Sequence, residues 1–143
     1  MEEHVTVLDD RAAEQDQMER QHILLVNSDP AILDLARVLL GEARYNVTTT
    51  NAVPRTFALI AAAQPALLII DLAIAEVAGW DLLVHLHAEA ATAAIPVIVT
   101  ARDPRLLAHA ARYPYLFGGP VRLVIPFDVD ALLNAVWTII GSA

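Results

Sequence analysis

Two residue types are missing from this sequence of 143 residues, cysteine and lysine. The absence of cysteine excludes disulfide bonds and thiolate metal sites. All nine basic residues are arginine, so a function that depends on a lysine ammonium group has no residue to supply it. The formal net charge of −8 also argues against binding to nucleic acid, because contacts with phosphates need a basic surface.

A long uninterrupted apolar run is missing as well, although 57% of the residues are hydrophobic and the mean hydropathy is +0.50. The most apolar stretch, residues 57–70, contains Gln64 and Pro65 and is followed by Asp71. A bilayer span needs roughly 20 consecutive apolar residues, so we predict no contact with a membrane. The first residues do not combine a basic region with a small-residue cleavage pattern, so we expect no secretory signal and a cytoplasmic protein.

Acidic residues are concentrated in residues 1–21, which hold few large apolar side chains. We interpret this segment as an acidic tail, either disordered or forming a short helix from Asp10 to Arg20. The remaining residues, 22–143, are enough for one domain with a substantial core.

The chain is organised around the stretch from Pro65 to Asp81, which reads PALLIIDLAIAEVAGWD. Ala66 to Ile70 are apolar without alternation, as in a strand that is buried on both faces of a parallel sheet. The run stops at Asp71, which we therefore place at the carboxyl end of this strand. Functional groups of open α/β sheets lie at that edge, so Asp71 is the leading candidate for a functional residue.

Short apolar segments alternate along the chain with segments of helical periodicity. The predicted strands cover residues 23–26, 45–50, 66–70, 95–100 and 121–125. Ser28 and Asp29 can both cap the first helix, Pro30 suits its first turn and Gly41 is typical of its end, while Asp128 is expected to cap the last helix. The apolar residues expected to face inward are Ile32, Leu35, Ala36, Leu39 and Leu40, then Phe57, Ile60 and Ala61, then Trp80, Leu83, Leu86 and Ala90, then Leu107, Ala110 and Ala111, and finally Val129, Leu132, Leu133, Val136 and Ile140. The alternation predicts an α/β fold in which a doubly wound, parallel, five-stranded sheet lies between two helical layers.

The flavodoxin-like strand order, 2-1-3-4-5, makes the first and third strands neighbours. Residues 27–29, which read NSD, follow the first strand and would then lie close to Asp71. The fourth and fifth strands would bring Thr100 and Ile125 to the same edge. Topology therefore predicts a polar cluster that no single motif encodes.

Four segments in this order carry a family resemblance: ILLVNSDPAILDLARVLL, LLIIDLAIAEVAGWDLL, IPVIVTARD and IPFDVDALL. They resemble the receiver domains of bacterial two-component response regulators, and the resemblance covers His22 to Ile140. It implies that Asp71 is the phosphoacceptor position, Gly79 the loop glycine and Thr100 the conformational-switch hydroxyl. It also implies a cis peptide before Pro126, which an Xaa-Pro bond tolerates at low cost.

The departures from the family pattern are informative. Where the family has an acidic pair that helps to hold Mg²⁺, this sequence has Asn27 and Ser28. Where it has a lysine that neutralises the phosphoryl group, this sequence has Ile125, and the switch aromatic corresponds to Arg122. The resemblance therefore implies a degenerate, pseudo-receiver variant.

Magnesium prefers several carboxylate or water oxygens in a near-octahedral shell. The sequence leaves Asp71 and Asp29 as weak Mg²⁺ candidates, and Asp29 is expected to cap the first helix instead. We therefore expect no resident metal or other cofactor, with Mg²⁺ bound only if the site is functional. Arg102 and Arg122 are the candidate substitute cations.

We predict a non-enzymatic, stand-alone receiver-like module that acts in two-component signalling by phosphorylation-independent protein–protein interaction. It is expected to lack a DNA-binding output domain because the sequence ends soon after the last predicted helix. One alternative is a working phosphoacceptor that a histidine kinase phosphorylates on Asp71. A second is a flavodoxin-like domain that binds a small ligand, although a glycine-rich phosphate loop does not follow the first strand.

The expected partners are proteins, such as a histidine kinase or an output protein. The aromatic segment YPYLFGGPV, residues 113–121, either folds back over the fifth strand or forms a contact surface. The resemblance favours homodimer formation through the face made by the fourth helix, the fifth strand and the last helix. The five histidines are interpreted as structural or solvent-facing, since His85 and His87 point away from each other on a helix.

Overall fold

The fold was analysed in a computed structural model, which describes residues 20–50, 56–72, 78–110, 112, 121–124 and 128–141. The side chains of residues 78–80, 109–110 and 121–124 are not included in that description. The strands are β1 (His22–Val26), β2 (Asn46–Thr50), β3 (Leu67–Asp71), β4 (Val97–Ala101) and β5 (Val121–Val124). The helices are α1 (Pro30–Glu42), α2 (Thr56–Ala63), α3 (Ala78–Ala88), α4 (Pro104–Ala110) and α5 (Val129–Ile140). Nearly all of the acidic segment predicted as a tail, and residues 113–120 of the aromatic segment, lie outside the described residues.

The five strands form one parallel sheet in the order β2-β1-β3-β4-β5. This confirms the predicted α/β class and the flavodoxin-like order. The central strand β3 is buried along its whole length, as the unbroken apolar run before Asp71 predicts for a strand covered on both faces. The sheet thereby places the ends of β1, β3 and β4 side by side at its carboxyl edge.

Two apolar layers cover the sheet, because alternate residues of a strand point to opposite faces. Leu68 and Ile70 of β3 belong to the layer that packs against α2, α3 and α4. Leu67 and Ile69 belong to the layer that packs against α1 and α5. Each layer has buried helical residues at its centre, namely Ile60, Leu82, Leu83, Leu86 and Leu107 in the first and Leu33, Ala36, Leu40, Leu132 and Val136 in the second.

Helix α1 begins as the sequence predicts but faces the sheet differently. The side chain of Asp29 accepts a hydrogen bond from the Ala31 amide, and Pro30 occupies the first turn. The prediction that Leu35 faces inward is wrong, since this side chain is 47% exposed, whereas Leu33 is buried. Leu33 shares one helical face with Ala36 and Leu40, three and seven positions later, and this face is the one that contacts the sheet.

The end of α1 also differs from the prediction. The helix continues through Gly41 to Glu42, and the left-handed residue that ends it is Arg44, with a φ of 76°. The Arg44 amide donates to the Gly41 carbonyl and the Tyr45 amide to the Leu40 carbonyl. This is the Schellman pattern, which usually places glycine at the left-handed position. The hydrogen bonds therefore define the helix end here, and Gly41 does not.

Several other boundaries need correction. Ala90 lies beyond the end of α3 and is exposed, and Val129 is 40% exposed although it was expected to face inward. Gly79 lies within the first turns of α3, not in a loop. Asp128 precedes α5 at the cap position, but its side chain makes no cap hydrogen bond to any residue that the structure describes.

Near the amino edge of the sheet, hydrogen bonds connect the beginning of the described chain with its end. The Gln21 carbonyl accepts a hydrogen bond from the Asn46 amide at 2.9 Å, and the Gln21 side chain donates to the carbonyl of Ile140. The Tyr45 hydroxyl donates to the Gly141 carbonyl at 2.6 Å. Among the described residues, no helix is long and apolar enough to cross a membrane.

Candidate functional site

Three polar residues lie next to one another at the carboxyl edge of the sheet. Asn27 directly follows β1, Asp71 ends β3 and Thr100 is paired with Asp71 in the register of β3 and β4. All three are nearly inaccessible to solvent, with exposed fractions of 3%, 6% and 2%. The structure therefore brings together three of the residues that topology predicts at this edge.

The three side chains also share one face of the sheet. Asp71 follows Leu67 and Ile69 at two-residue spacing, so it points toward the layer that contains α1 and α5. Asn27 follows Ile23 and Leu25, and Thr100 follows Ile98, in the same alternation. Each parallel strand thus contributes one polar group to the same corner of the fold.

The Thr100 hydroxyl and the Asp71 carboxylate are close enough to interact. Thr100 Oγ1 donates to Asp71 Oδ1 at 3.4 Å, which is long for a hydroxyl hydrogen bond. The Leu72 amide donates to the Thr100 carbonyl at 2.9 Å, so the backbone holds these two strand ends in register. The residues predicted as the acceptor carboxylate and the switch hydroxyl therefore lie side by side, while their roles stay predictions.

The two residues predicted to replace the acidic pair have different surroundings. Asn27 is buried, and its Oδ1 accepts a hydrogen bond from the Asp29 amide at 2.9 Å. Ser28 is exposed. The Asn27 side chain therefore stabilises the turn that leads into α1. Asparagine side chains often accept a hydrogen bond from the backbone amide two residues later in this way.

Asp29 is engaged on both of its carboxylate oxygens. Oδ1 accepts from the Ala31 amide at 2.9 Å, which confirms the predicted cap of α1. Oδ2 accepts from Arg102 Nη2 at 2.6 Å. A charge-assisted contact of this length is short and directional. The sequence identified both residues as candidates, but it did not indicate that they pair, since they are 73 positions apart.

The other candidate cation and the remaining family positions lie along β5. Arg122 is in that strand, with its backbone in register with Val99, but its side chain is not among those described. Ile125 and Pro126 lie outside the described residues, so the substituted lysine position and the cis peptide remain predictions.

The donor set at this edge fits a magnesium ion poorly. Of the oxygen ligands that Mg²⁺ favours, the carboxylate of Asp29 already accepts two hydrogen bonds and the amide oxygen of Asn27 accepts one. Within the part of the chain that the structure describes, no three His, Cys, Asp or Glu side chains are grouped so that they could hold a metal.

His22 and His85 lie away from the Asp71 site. His22 begins β1 at the opposite edge of the sheet, where its Nε2 is 2.7 Å from Thr48 Oγ1, and burial lowers the pKa of its imidazole. The His85 ring stacks on Phe57 with centroids 3.7 Å apart. His85 Nε2 is also 3.9 Å from a carboxylate oxygen of Glu89. These contacts support the structural interpretation of both histidines.

Similar proteins have both sequence and fold in common with this chain. The DNA-binding dual master transcriptional regulator RpaA of Synechocystis sp. is 31% identical over 114 residues, which are 80% of this chain and 46% of that protein. The chain therefore spans about half of that relative's length.

Solved structures of other proteins are similar to this chain in fold. Chemotaxis protein CheY4 of Vibrio cholerae matches 84% of this chain and 98% of its own, with a TM-score of 0.73 and 18% identity. The receiver domain of a sensor histidine kinase from Pseudomonas aeruginosa, which has a magnesium ion coordinated in its active-site cleft, matches 86% of this chain and 99% of its own, with a TM-score of 0.73 and 20% identity. Residues 23–114 match the family described as the response regulator receiver domain. The chain accordingly belongs to the receiver domain family of two-component response regulators.

Proposed function

We propose that this receiver domain signals through protein–protein contacts whose strength does not depend on phosphorylation of Asp71. The observation that carries the proposal is the set of groups around the acceptor position. The residues at the family's acidic pair are an amide, Asn27, and a hydroxyl, Ser28, and the next carboxylate, Asp29, is bonded to Arg102.

Phosphoryl transfer to a carboxylate depends almost entirely on positioning and on neutralising the charge of the phosphoryl oxygens. In the family, two groups supply the neutralising positive charge. One is a magnesium ion held by the acidic pair, and the other is a lysine side chain. This chain contains no lysine, and Asn27 and Ser28 carry no charge. Loss of one preorganised charge-stabilising group typically costs about 3 kcal/mol in the transition state, so we expect transfer to Asp71 to be too slow for signalling.

The proposal includes no resident metal and no enzymatic activity. Receiver domains act by contacting proteins such as kinases and output domains, and we propose a partner of this kind. The relative from Synechocystis is described as DNA-binding, but the net charge of −8 does not favour contact between this chain and phosphates. A protein partner is therefore the better match to the charge of this chain.

The test is incubation with Mg²⁺ and a small phosphodonor such as acetyl phosphate, followed by intact-mass analysis. We expect the wild-type protein to gain no phosphate. The matched positive control is the triple variant N27D/S28D/I125K, which restores the three charged groups of the family pattern. It should gain one phosphate, and that gain should disappear when Asp71→Asn is added.

A wild-type adduct that is lost in Asp71→Asn alone would contradict the proposal. It would support the alternative, a working phosphoacceptor that a histidine kinase phosphorylates. One contact favours that alternative, the 3.4 Å hydrogen bond from Thr100 to Asp71, because it places the hydroxyl where a switch residue would act.

A further inference from the structure

The ion pair between Asp29 and Arg102 crosses the end of the strand that carries Asp71. Asp29 follows β1 and Arg102 follows β4, while β3 lies between these two strands. Neighbouring strands are about 4.8 Å apart, so β1 and β4 are separated by about 10 Å. A contact of 2.6 Å between side chains that follow these two strands therefore spans the position of β3 at this edge.

The pair lies on the side of the sheet toward which Asp71 points. Asp29 caps α1, whose buried residues pack in the same apolar layer as Leu67 and Ile69. Arg102 follows β4 directly, and its guanidinium lies 2.6 Å from the Asp29 carboxylate at the start of α1. Both partners thus approach the corner of the fold where the Asp71 carboxylate is buried.

We propose that the Arg102–Asp29 ion pair is a clasp that closes over Asp71 and takes the place of the metal ion, so that Arg102 is the resident cation of this edge. The clasp engages the Asp29 carboxylate and puts a guanidinium charge in the region that a divalent cation would enter. This inference rests on the proposed function and adds to it a physical means by which the site is kept free of metal.

A second ion pair close to Arg102 in the sequence serves as a comparison. Arg105, in the first turn of α4, contacts Asp103 at 2.9 Å, two positions away, and its side chain is 91% exposed. This pair is local in the sequence and crosses no strand. Removal of Arg105 therefore subtracts the same charge three positions from Arg102 but leaves the clasp intact, which makes it a matched control.

The side chain of Arg102 is 64% exposed and that of Asp29 is 34% exposed. Exposed ion pairs contribute little to folding, so removal of Arg102 should leave the domain folded. The expected consequence of that removal is a change in what the edge binds. Asp29 would be released for metal coordination, and the electrostatic repulsion of a divalent cation would fall.

The experiment is isothermal titration calorimetry with Mg²⁺ or Mn²⁺ alone, on the full chain. We expect wild type and R105Q to bind each ion equally weakly and R102Q to bind it at least about tenfold more tightly. The gain should be lost in the double variant R102Q/D71N, since Asp71 would then no longer supply a carboxylate. D29N, which opens the clasp but removes the ligand, should show no gain.

Equal affinities of R102Q and R105Q for the ions would overturn the clasp. R102M provides a second charge-removing variant, and circular dichroism verifies that every variant is folded. Because no phosphodonor is present, the result is independent of the intact-mass test. A wild-type phosphate adduct together with tighter ion binding by R102Q would reject the proposed function and keep the clasp, whereas the reverse pair of results would reject the clasp alone.

Discussion

The body of the sheet and its carboxyl edge differ in how closely they match the receiver family. The body consists of apolar residues that pack in two layers, and the fold matches that of a solved receiver domain with a TM-score of 0.73. At the edge, Asp71 and Thr100 are the residues predicted at the acceptor and switch positions, whereas Asn27 and Ser28 are predicted to replace the acidic pair and Asp29 is hydrogen-bonded to Arg102.

This difference shows that fold and chemistry are specified by separate sets of residues. The free energy of folding comes mainly from buried apolar surface, whereas the chemistry of a site comes from a few groups placed on the fold. A receiver fold can therefore persist while the groups that would support phosphoryl transfer are exchanged. The comparison predicts large stability effects in the body and small ones at the edge.

The largest expected effect is at the centre of β3. Leu68 has no exposed surface, and Leu68→Ala should lower the free energy of unfolding by about 2–5 kcal/mol, because the substitution leaves a cavity. Asp71→Asn, three positions away and nearly isosteric, should change it by less than about 1 kcal/mol. Urea unfolding followed by circular dichroism measures both values, and similar losses in the two variants would break the comparison.

Helix caps allow a second, intermediate test. Asp29→Ala should destabilise the domain by about 1 kcal/mol, since the side chain that caps α1 is lost. Asp128→Ala is the matched control, because Asp128 has the same position at α5 but no cap hydrogen bond among the described residues. We expect the control to lie within about 0.5 kcal/mol of wild type. An equal loss at both caps would show that the Asp29 hydrogen bond does not stabilise α1.

The smallest effect is expected at the amino edge. Burial lowers the pKa of His22 in the folded protein, so the folded state binds a proton less readily than the unfolded state. The stability that the neutral imidazole contributes should be present at and above about pH 7 and should decline as the pH falls below the unfolded pKa of about 6.5. His22→Gln should remove this part of the pH dependence.

Urea unfolding at several pH values between about 7.5 and about 5 measures the free energy of unfolding of wild type and of His22→Gln, and thus the pH dependence of each. Identical pH profiles would contradict the assignment of the shift to His22. The same measurement on His85→Gln serves as a control, because that side chain is 52% exposed and lies on α3, not on a strand of the sheet.

Strand positions and strand order follow from sequence because buried strands need unbroken apolar runs and short connections limit the topologies. The orientation of α1 was less accessible, since Leu33 and Leu35 are both compatible with an apolar helical face and only packing against the sheet selects Leu33. The left-handed end at Arg44 was missed because glycine is the usual signal.

Part of the candidate site can be predicted from the sequence and part cannot. The meeting of Asn27, Asp71 and Thr100 follows from the strand order alone. The bond between Asp29 and Arg102 does not, because it depends on side-chain conformations at the ends of two strands that are not neighbours. Sequence patterns indicate the periodicity of helices and strands, and a contact between two distant side chains does not change that periodicity.

The hydrogen bonds from Gln21 to Ile140 and from Tyr45 to Gly141 have a practical consequence. They hold the two ends of the described chain near the amino edge, about one strand length, or about 15 Å, from Asp71. A dye or surface linker attached at Arg20 or Gly141, the first and last described residues, would therefore lie far from the carboxyl edge. Binding assays on immobilised protein should report the behaviour of that edge without interference from the attachment.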